Sequence, residues 1–390
     1  MLTINKNNLI KQLVLLMSFS LVVSTFSCGS DEEPTPQSTE INTNVSPLAW
    51  SDTMGGSHIS SGGTISFDPQ SNIVLAGAYD GDPLIDPLPP VTVGIPNGFI
   101  LRLSNEGNLL LAQDLGFMVA TNLNYLAFTE SAILLAGTYL PTGGDIFYFS
   151  LDGMGNQLGV NILDGSSRSD EAGGLAVDPA GNILVGGTVG GGLSESARVT
   201  KLGANEDIEW TYTSSGRATL ANIDTDRLGN VYLNQCSFPS SSEAEFIKLD
   251  ADGNIVWAKS FGLGCGSGLS VVSNNEIYIN YLNGVIRLDG NGDIVWQIES
   301  PTILMSDLDA NSNGDIVVCG SYGSEGQFGG ITLPNTISGV RAGFIAMLNA
   351  NGTVRWMTDE ISATDVSLNA DGSVAYVNFS DQQISYGLLE

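Results

Sequence analysis

The nine residues Leu249–Trp257 read LDADGNIVW; the chain writes them again as LDGNGDIVW, ending at Trp296, and as LNANGTVRW, ending at Trp356. A phrase that returns with its internal spacing intact marks one structural unit used repeatedly, and such a unit cannot bury its apolar face alone. Six segments share the spacing, a leucine eight residues ahead of a fixed position: Leu103 to Leu111, Leu151 to Gly159, Leu202 to Trp210, Leu249 to Trp257, Leu288 to Trp296 and Leu348 to Trp356. Short apolar stretches precede them, as in FILRL (99–103), EFIKL (245–249) and GFIAML (343–348). The Asp/Asn/Gly cluster between the two halves tolerates positive φ, so each phrase predicts a β-hairpin.

A second hairpin lies upstream of each phrase, as in FDPQSNIVLAG (67–77), VDPAGNILVGG (177–187), TDRLGNVYLNQ (225–235) and LNADGSVAYVN (368–378). Its second strand is almost continuously apolar, the pattern of a strand covered on both faces. Two hairpins make a four-stranded sheet, and sheets covered on both sides and repeated around an axis make a β-propeller. Upstream hairpins number seven, at Asn72, Ser131, Asn182, Asn230, Asn275, Gly314 and Gly372, against six outer phrases. The missing outermost strand is found at the other end, in PLAWSDTMGG (47–56), which would pair with ISYGLL (384–389) and close the ring. The fold class expected is all-β: a seven-bladed propeller of four-stranded antiparallel blades over residues 45–390, its N-terminal strand completing the last blade. Trp50, Trp210, Trp257, Trp296 and Trp356 then occupy one structural position and serve as blade-packing aromatics.

LDADGNIVWAKSFG with an upstream VDPAGNILVGG, together with FGGITL (328–333) ahead of AGFIAML, resembles the bacterial SBBP-type β-propeller repeat over about residues 45–390. The resemblance implies an extracytoplasmic propeller and no single activity, because fold does not fix function. Blades two and five depart most, with Gly159 at the tryptophan position and a shortened link between Tyr281 and Gly284.

The N-terminus carries an address. Lys6 and Lys11 precede an apolar run from Leu13 to Phe26, the length of a secretory h-region and short for a membrane span. It ends in STFSC, which resembles a bacterial lipobox despite Thr25 and Phe26, with cleavage between Ser27 and Cys28 and lipid attachment at Cys28. Residues 1–27 read as a lipoprotein signal peptide and residues 28–44, GSDEEPTPQSTEINTN after the cysteine, as a disordered acidic tether spanning on the order of 20 Å. Gly29 and the Ser30–Glu33 tetrapeptide resemble sorting signals for the outer membrane and the cell exterior. Loss of the two leader lysines leaves 11 Lys+Arg against 42 Asp+Glu, a balance of −31. Such a charge disfavours nucleic acid as a partner, so membrane contact would come through the lipid, and protein or glycan remain the expected ligand classes.

Catalytic signatures are sparse. The one histidine is His58, and neither a GxSxG elbow nor a phosphate-binding loop is present. DANSNGD (309–315) matches the start of a calcium loop through Asp309, Asn311, Asn313 and Gly314, but Gly320 stands where a bidentate glutamate is required. No metal or cofactor is expected. Gly253 lies four residues before Trp257, which rejects the sialidase Asp-box register. GLGCGSG (262–268) reads as a flexible connection between blades. Cys236 and Cys265 fall on one rim and are expected to form a disulfide, with Cys319 free. A binding site would lie at the mouth entered by the innermost strands, near His58, Arg168, Asp170, Glu171, Arg217 and Ser267. These residues support a non-enzymatic binding or scaffold module, with a carboxylate-dependent carbohydrate hydrolase or lyase as the alternative and the catalytic residues unknown.

Overall fold

The computed structural model describes residues 48–390 apart from 56–57, 84, 93–96, 117–121, 140–143, 164–169, 238–242, 273–275, 325, 335, 337–339 and 381–382. Ser27, Cys28, the tether 28–44 and Arg168 therefore lie outside the described residues. Seven four-stranded antiparallel sheets follow one another along the chain. The innermost strands are His58–Phe67, Asn122–Phe128, Glu171–Val177, Ala218–Thr225, Leu269–Val271, Ile303–Ala310 and Asp365–Leu368, for blades one to seven. A small hairpin, Gln327–Phe328 with Ile331–Thr332, is inserted between the second and third strands of blade six. Its Phe328 and Ile331, with Leu333, are buried beside Val354, which accounts for FGGITL in packing terms.

The seventh sheet is completed from the other end of the chain. Leu48–Gly55 runs antiparallel to Gln383–Leu389, with Trp50 opposite Leu388, Ser51 opposite Gly387 and Asp52 opposite Tyr386. This pairing abolishes the free edges that an open array of seven sheets would leave. Burial follows the sequence pattern. Ile183–Val189, second strand of blade three, is buried throughout, whereas Ile255–Ser260, outermost in blade four, has every residue exposed or half-exposed.

Blade-to-blade packing repeats in detail. Trp210, Trp257, Trp296 and Trp356 sit opposite Lys201, Lys248, Arg287 and Met347 respectively, one register position throughout. Each of the first three reaches forward to the third-to-fourth-strand turn of the next blade: the indole N–H of Trp210 donates to Ala251 O at 2.9 Å, that of Trp257 to Gly290 O at 3.3 Å and that of Trp296 to Ala350 O at 2.9 Å. Trp50 does the same across the closure, donating to Asn105 O at 2.6 Å. The indole lies flat on a glycine of the receiving turn. A Cβ built on Gly253, whose φ is +83°, would stand 2.7 Å from Trp210 Cδ2. Two blades break the pattern together. Blade two has Gly159 at the indole position, and the turn it would cover in blade three has Glu206 at φ +62° in place of glycine.

A cation next to the third-strand leucine ties the same turns to an acid that the sequence did not single out. Lys201 Nζ lies 3.0 Å from Asp178 and donates to Ala251 O at 3.2 Å. Arg102 pairs with Asp68 at 2.5 Å, and Arg287 pairs with Glu276 while donating to Ala350 O at 2.9 Å. The acids at these turns also accept backbone N–H groups: Ala180 and Asn182 both donate to Asp178 Oδ1 at 2.9 Å. The D-x-x-G-N spelling is therefore an Asx-turn device, in which a carboxylate satisfies two N–H groups that the tight turn leaves unpaired.

Within GLGCGSG, Gly264, Gly266 and Gly268 are tightly packed, against the expectation of a flexible link. A Cβ at Gly266 would be 2.2 Å from Asn280 O, and one at Gly268 2.7 Å from Leu308. Asn234 Nδ2 donates to Gly266 O at 2.9 Å and Gly268 N–H to Asn280 Oδ1 at 2.6 Å, side-chain substitutes for the ladder that blade five's three-residue innermost strand lacks. Cys236 and Cys265 are joined in a disulfide, Cα to Cα 5.8 Å, pinning this loop to blade four, and Cys319 is a buried free thiol.

The indole-on-glycine contact can be isolated by comparing two glycines of similar φ. Gly181, at φ +84°, has open space where a Cβ would go. Gly181→Ala is expected to cost about 1 kcal/mol from backbone strain alone. Gly253→Ala should cost roughly 1–3 kcal/mol more, because the indole must also shift. Chemical unfolding of the two variants side by side measures the difference, and equal losses would remove the contact's claimed role.

Candidate functional site: the acidic hub

The innermost strands enclose a channel of about 690 Å³ on the axis. Which residues face it is set by one-residue bulges in the strands, at Asn124, Gly173, Ala221 and Ser306. Two tiers result. Tyr125, Asn222, Asp307 and Asp365 pair with the fourth residue of the neighbouring second strand, counted from Ile133, Val231, Ile316 and Val374. Asp224, Ser270, Asp309 and Ser367 pair with the second residue, counted from Val231, Ile277, Ile316 and Val374. Asp224, Asp307, Asp309 and Asp365 all line the channel, and no lysine, arginine or histidine is among the described residues that do.

These carboxylates bind backbone. Val271 N–H donates to Asp224 Oδ2 at 2.6 Å, joining blades four and five. Leu368 N–H donates to Asp309 Oδ2 at 2.9 Å, and Val366 N–H to Asp307 Oδ2 at 3.2 Å, joining six to seven. Ile65 N–H donates to Asp365 Oδ2 at 3.3 Å, joining seven to one. An innermost strand has one edge without a neighbouring strand, and its N–H groups need acceptors. The hub acids supply them.

The same placement holds protons. Although each acid is partly accessible from the channel, protein surrounds it on all sides. Burial pushes Asp224 up to about 7, against the pull of the N–H bonds from Val271 and Thr225. Asp309 is raised by burial too. Asp307 and Asp365 share a side-chain hydrogen bond. Burial first, and the Asp365 charge second, raise Asp307 well above the carboxylate range, while Asp365 is pushed by burial to about 6. Two carboxyls in direct contact cannot both ionise cheaply, so the pair retains one proton between them near neutral pH.

Of the residues expected at the mouth, the structure brings Ser267 to the channel wall, where its Oγ donates to Ser306 O at 2.5 Å. Asp170 is instead buried in blade three, accepting the Gly190 N–H at 2.7 Å. Arg217 pairs with Glu195 at 2.9 Å. Glu171 is exposed at the start of its strand, close enough for its charge to act on Tyr125. His58 opens the innermost strand of blade one, its backbone opposite Asp80. The calcium-loop resemblance dissolves into separate roles. Asp309 faces the channel, whereas Asn311 Oδ1 accepts the N–H groups of Asn313 and Asp315 at 3.0 and 3.1 Å within the turn. Among the described residues no group of three or more His, Cys, Asp or Glu converges as metal ligands would.

No family model matches the chain, and no curated protein matches it. Solved structures do. The Neurospora crassa Pan2 WD40 domain superposes with a TM-score of 0.53 at 11% identity, covering 85% of this chain and 89% of that one. The Dos1 propeller gives 0.52 at 13% identity, over 86% and 95%. A europium-containing methanol dehydrogenase gives 0.52 at 13%, over 87% and 78%. At these identities the likeness is one of fold, and the fold is the β-propeller.

The hub acids make stability depend on pH in a defined direction. Their folded values lie above the unfolded carboxylate value, so the folded state binds more protons between about pH 4 and 7, and stability falls as pH rises through that window. The turn carboxylates Asp178, Asp250 and Asp289, lowered on balance by hydrogen bonds, act oppositely, but only below about pH 4. Thermal unfolding should therefore occur several degrees higher at pH 5 than at pH 8. Asp307→Asn, which keeps a hydrogen-bonding side chain while removing the titrating group that holds the shared proton, should flatten that difference; an unchanged pH profile would contradict the shared proton.

Proposed function

We propose that the chain is an exported, lipid-anchored binding or scaffold module of the SBBP-repeat kind, held at the outer membrane or cell surface through Cys28 and non-enzymatic. The lipobox-like STFSC, the acidic residues 28–44 and the repeat phrases support the address and the kinship. The observation that carries the non-enzymatic reading is the occupation of the hub acids: each accepts a backbone N–H from the adjoining blade and so already has a structural task. A glycoside hydrolase needs its two carboxyls separated by about 5 Å or more, with the sugar between them. Asp307 and Asp365 touch each other instead.

The mouth favours a ligand rich in hydroxyl or amine donors. Its wall combines carboxyls with the amides and hydroxyls of Asn124, Asn222, Ser306 and Thr364, and among the described residues it offers no cation to hold an anion. A glycan, or a basic segment of a partner protein, meets that chemistry. The rival reading is a carboxylate-dependent carbohydrate hydrolase or lyase, which the contact between Asp307 and Asp365 disfavours, and one experiment addresses both readings. Cys28→Ser should move the chain from the membrane fraction to the soluble fraction. Immobilised full chain should retain glycan or protein from envelope extracts, and Ser306→Trp, which fills the channel, should reduce retention at least tenfold. Turnover of a polysaccharide that disappears in Asp307→Asn would instead establish the hydrolase.

A further inference from the structure

Five blade junctions hold the chain's own indoles: Trp50, Trp210, Trp257 and Trp296 donate to a turn carbonyl, and Trp356 packs against blade seven. The junction between blades two and three has neither indole nor turn glycine, as Gly159 and Glu206 show. The junction between blades one and two is different. Its indole position holds Leu111, yet the receiving glycine is kept, Gly155 at φ +83°, with the Leu111 and Gln113 side chains against it. Beside them opens a cleft of about 210 Å³, walled by Leu115, Phe147, Phe149, Leu151, Val160 and Ile162.

That wall is unlike its sisters. In blade two Phe147 stands opposite Ile162 and Phe149 opposite Val160. The same register in blade four holds Glu245 opposite Ser260 and Ile247 opposite Ala258; in blade five it holds Gly284 opposite Glu299 and Ile286 opposite Gln297. Ile247 and Leu249, the counterparts of Phe149 and Leu151, pack in one cluster with Trp210. Blade two thus presents the surface that elsewhere receives an indole, enlarges it with aromatic and branched residues, and leaves Val160 at 42% and Ile162 at 54% exposure.

We propose that this cleft binds a small aromatic molecule carrying an N–H donor, of the indole class. The size fits: a dry apolar cavity of about 150 Å³ accepts benzene, and a fused ring needs somewhat more. The donor answers Asp114 at the edge of the cleft. Its carboxylate accepts Asn97 Nδ2 on both oxygens at 3.0 Å, Gly116 N–H at 2.7 Å and the Tyr79 hydroxyl, and its negative charge stands at the cleft edge, where it favours the positive end of an N–H dipole. The repeat supplies the reason for an aromatic ring, since at five sister junctions this fold seats one between neighbouring blades. The site lies on the rim, away from the hub, and stands or falls independently of the function proposed above.

Calorimetric titration of indole into the full chain tests it. One saturable site is expected, with a Kd on the order of 0.1–1 mM for a ligand of this size. Ile162→Asp, at an exposed position that a charge does not unfold, should weaken binding at least tenfold, and Leu111→Trp should abolish it by filling the cleft from within. 1-Methylindole, which lacks the donor, should bind at least threefold more weakly. Absence of saturable binding overturns the proposal, as does undiminished binding by the Ile162→Asp chain with an unaltered melting curve. Equal affinity for indole and 1-methylindole overturns the donor. Should Leu111→Trp fail to fold, Ile162→Asp alone decides.

Discussion

The ladder between Leu48–Gly55 and Gln383–Leu389 is the constraint on which the rest depends. Each blade's second and third strands are largely buried on both faces, so a blade is stabilised only between neighbours. Seven such sheets in an open arc would still leave two uncovered faces. Joining the first strand to the last replaces both with an internal junction, where Trp50 donates to Asn105 across the boundary just as Trp210 does to Ala251 within the ring. Closure makes the seam resemble the ordinary junctions around it, and it couples residues about 300 apart, such as Ile65 and Asp365, through a single hydrogen bond at the hub.

Around that ring Trp50, Trp210, Trp257 and Trp296 share an indole laid on a turn glycine with its N–H on a turn carbonyl, and at Trp210 and Trp296 a cation, Lys201 or Arg287, also links that carbonyl to an acid, Asp178 or Glu276. At the junction between blades two and three the indole and the glycine are lost together. Where Gly159 removes the indole, Glu206 appears at positive φ because nothing overhead forbids a side chain. The ring is therefore a set of matched pairs and not a set of identical modules, which is how nearest-neighbour stability in repeat proteins tolerates divergence.

Much of this was legible in the sequence. Hairpins, blade number, closure strand and the common tryptophan position follow from fixed spacing, because a turn and its flanking strands are local and leave local marks. The Cys236–Cys265 pairing was legible for a related reason, since blade order alone puts both on one rim. The hub was not. Its acids lie in strands whose lengths differ, and bulges at Ala221 and Ser306 shift which residue faces the axis. Asp307 and Asp365 meet although nothing near either one spells the other. A scan for carboxylates two residues ahead of the turn's first residue would have flagged Asp224 and Asp309, which precede Asp226 and Asn311, but not their contacts. The error with GLGCGSG has a plain cause: glycine permits both flexibility and close approach, and Asn234 and Asn280, which decide between them, are remote in sequence.

Positions that depart from a repeat carry information that the repeat itself does not. The shared phrases encode only what every blade must do, namely pack against its neighbours, and a residue that serves packing is constrained to recur. Blade two departs at Ser150, Gly159, Phe147 and Ile162 at once, losing its cation and its indole and gaining apolar bulk on an accessible rim. Drift alone would relax such a face towards polar residues, as exposure of an apolar cleft to water is unfavourable by roughly 25 cal/mol per Å². An open apolar wall kept beside a retained turn glycine runs against that gradient. Local rules that fail without a compensating gain in packing are where function or binding is to be sought, and by that criterion the junction between blades one and two, together with the acidic hub, separates itself from the scaffold that holds both in place.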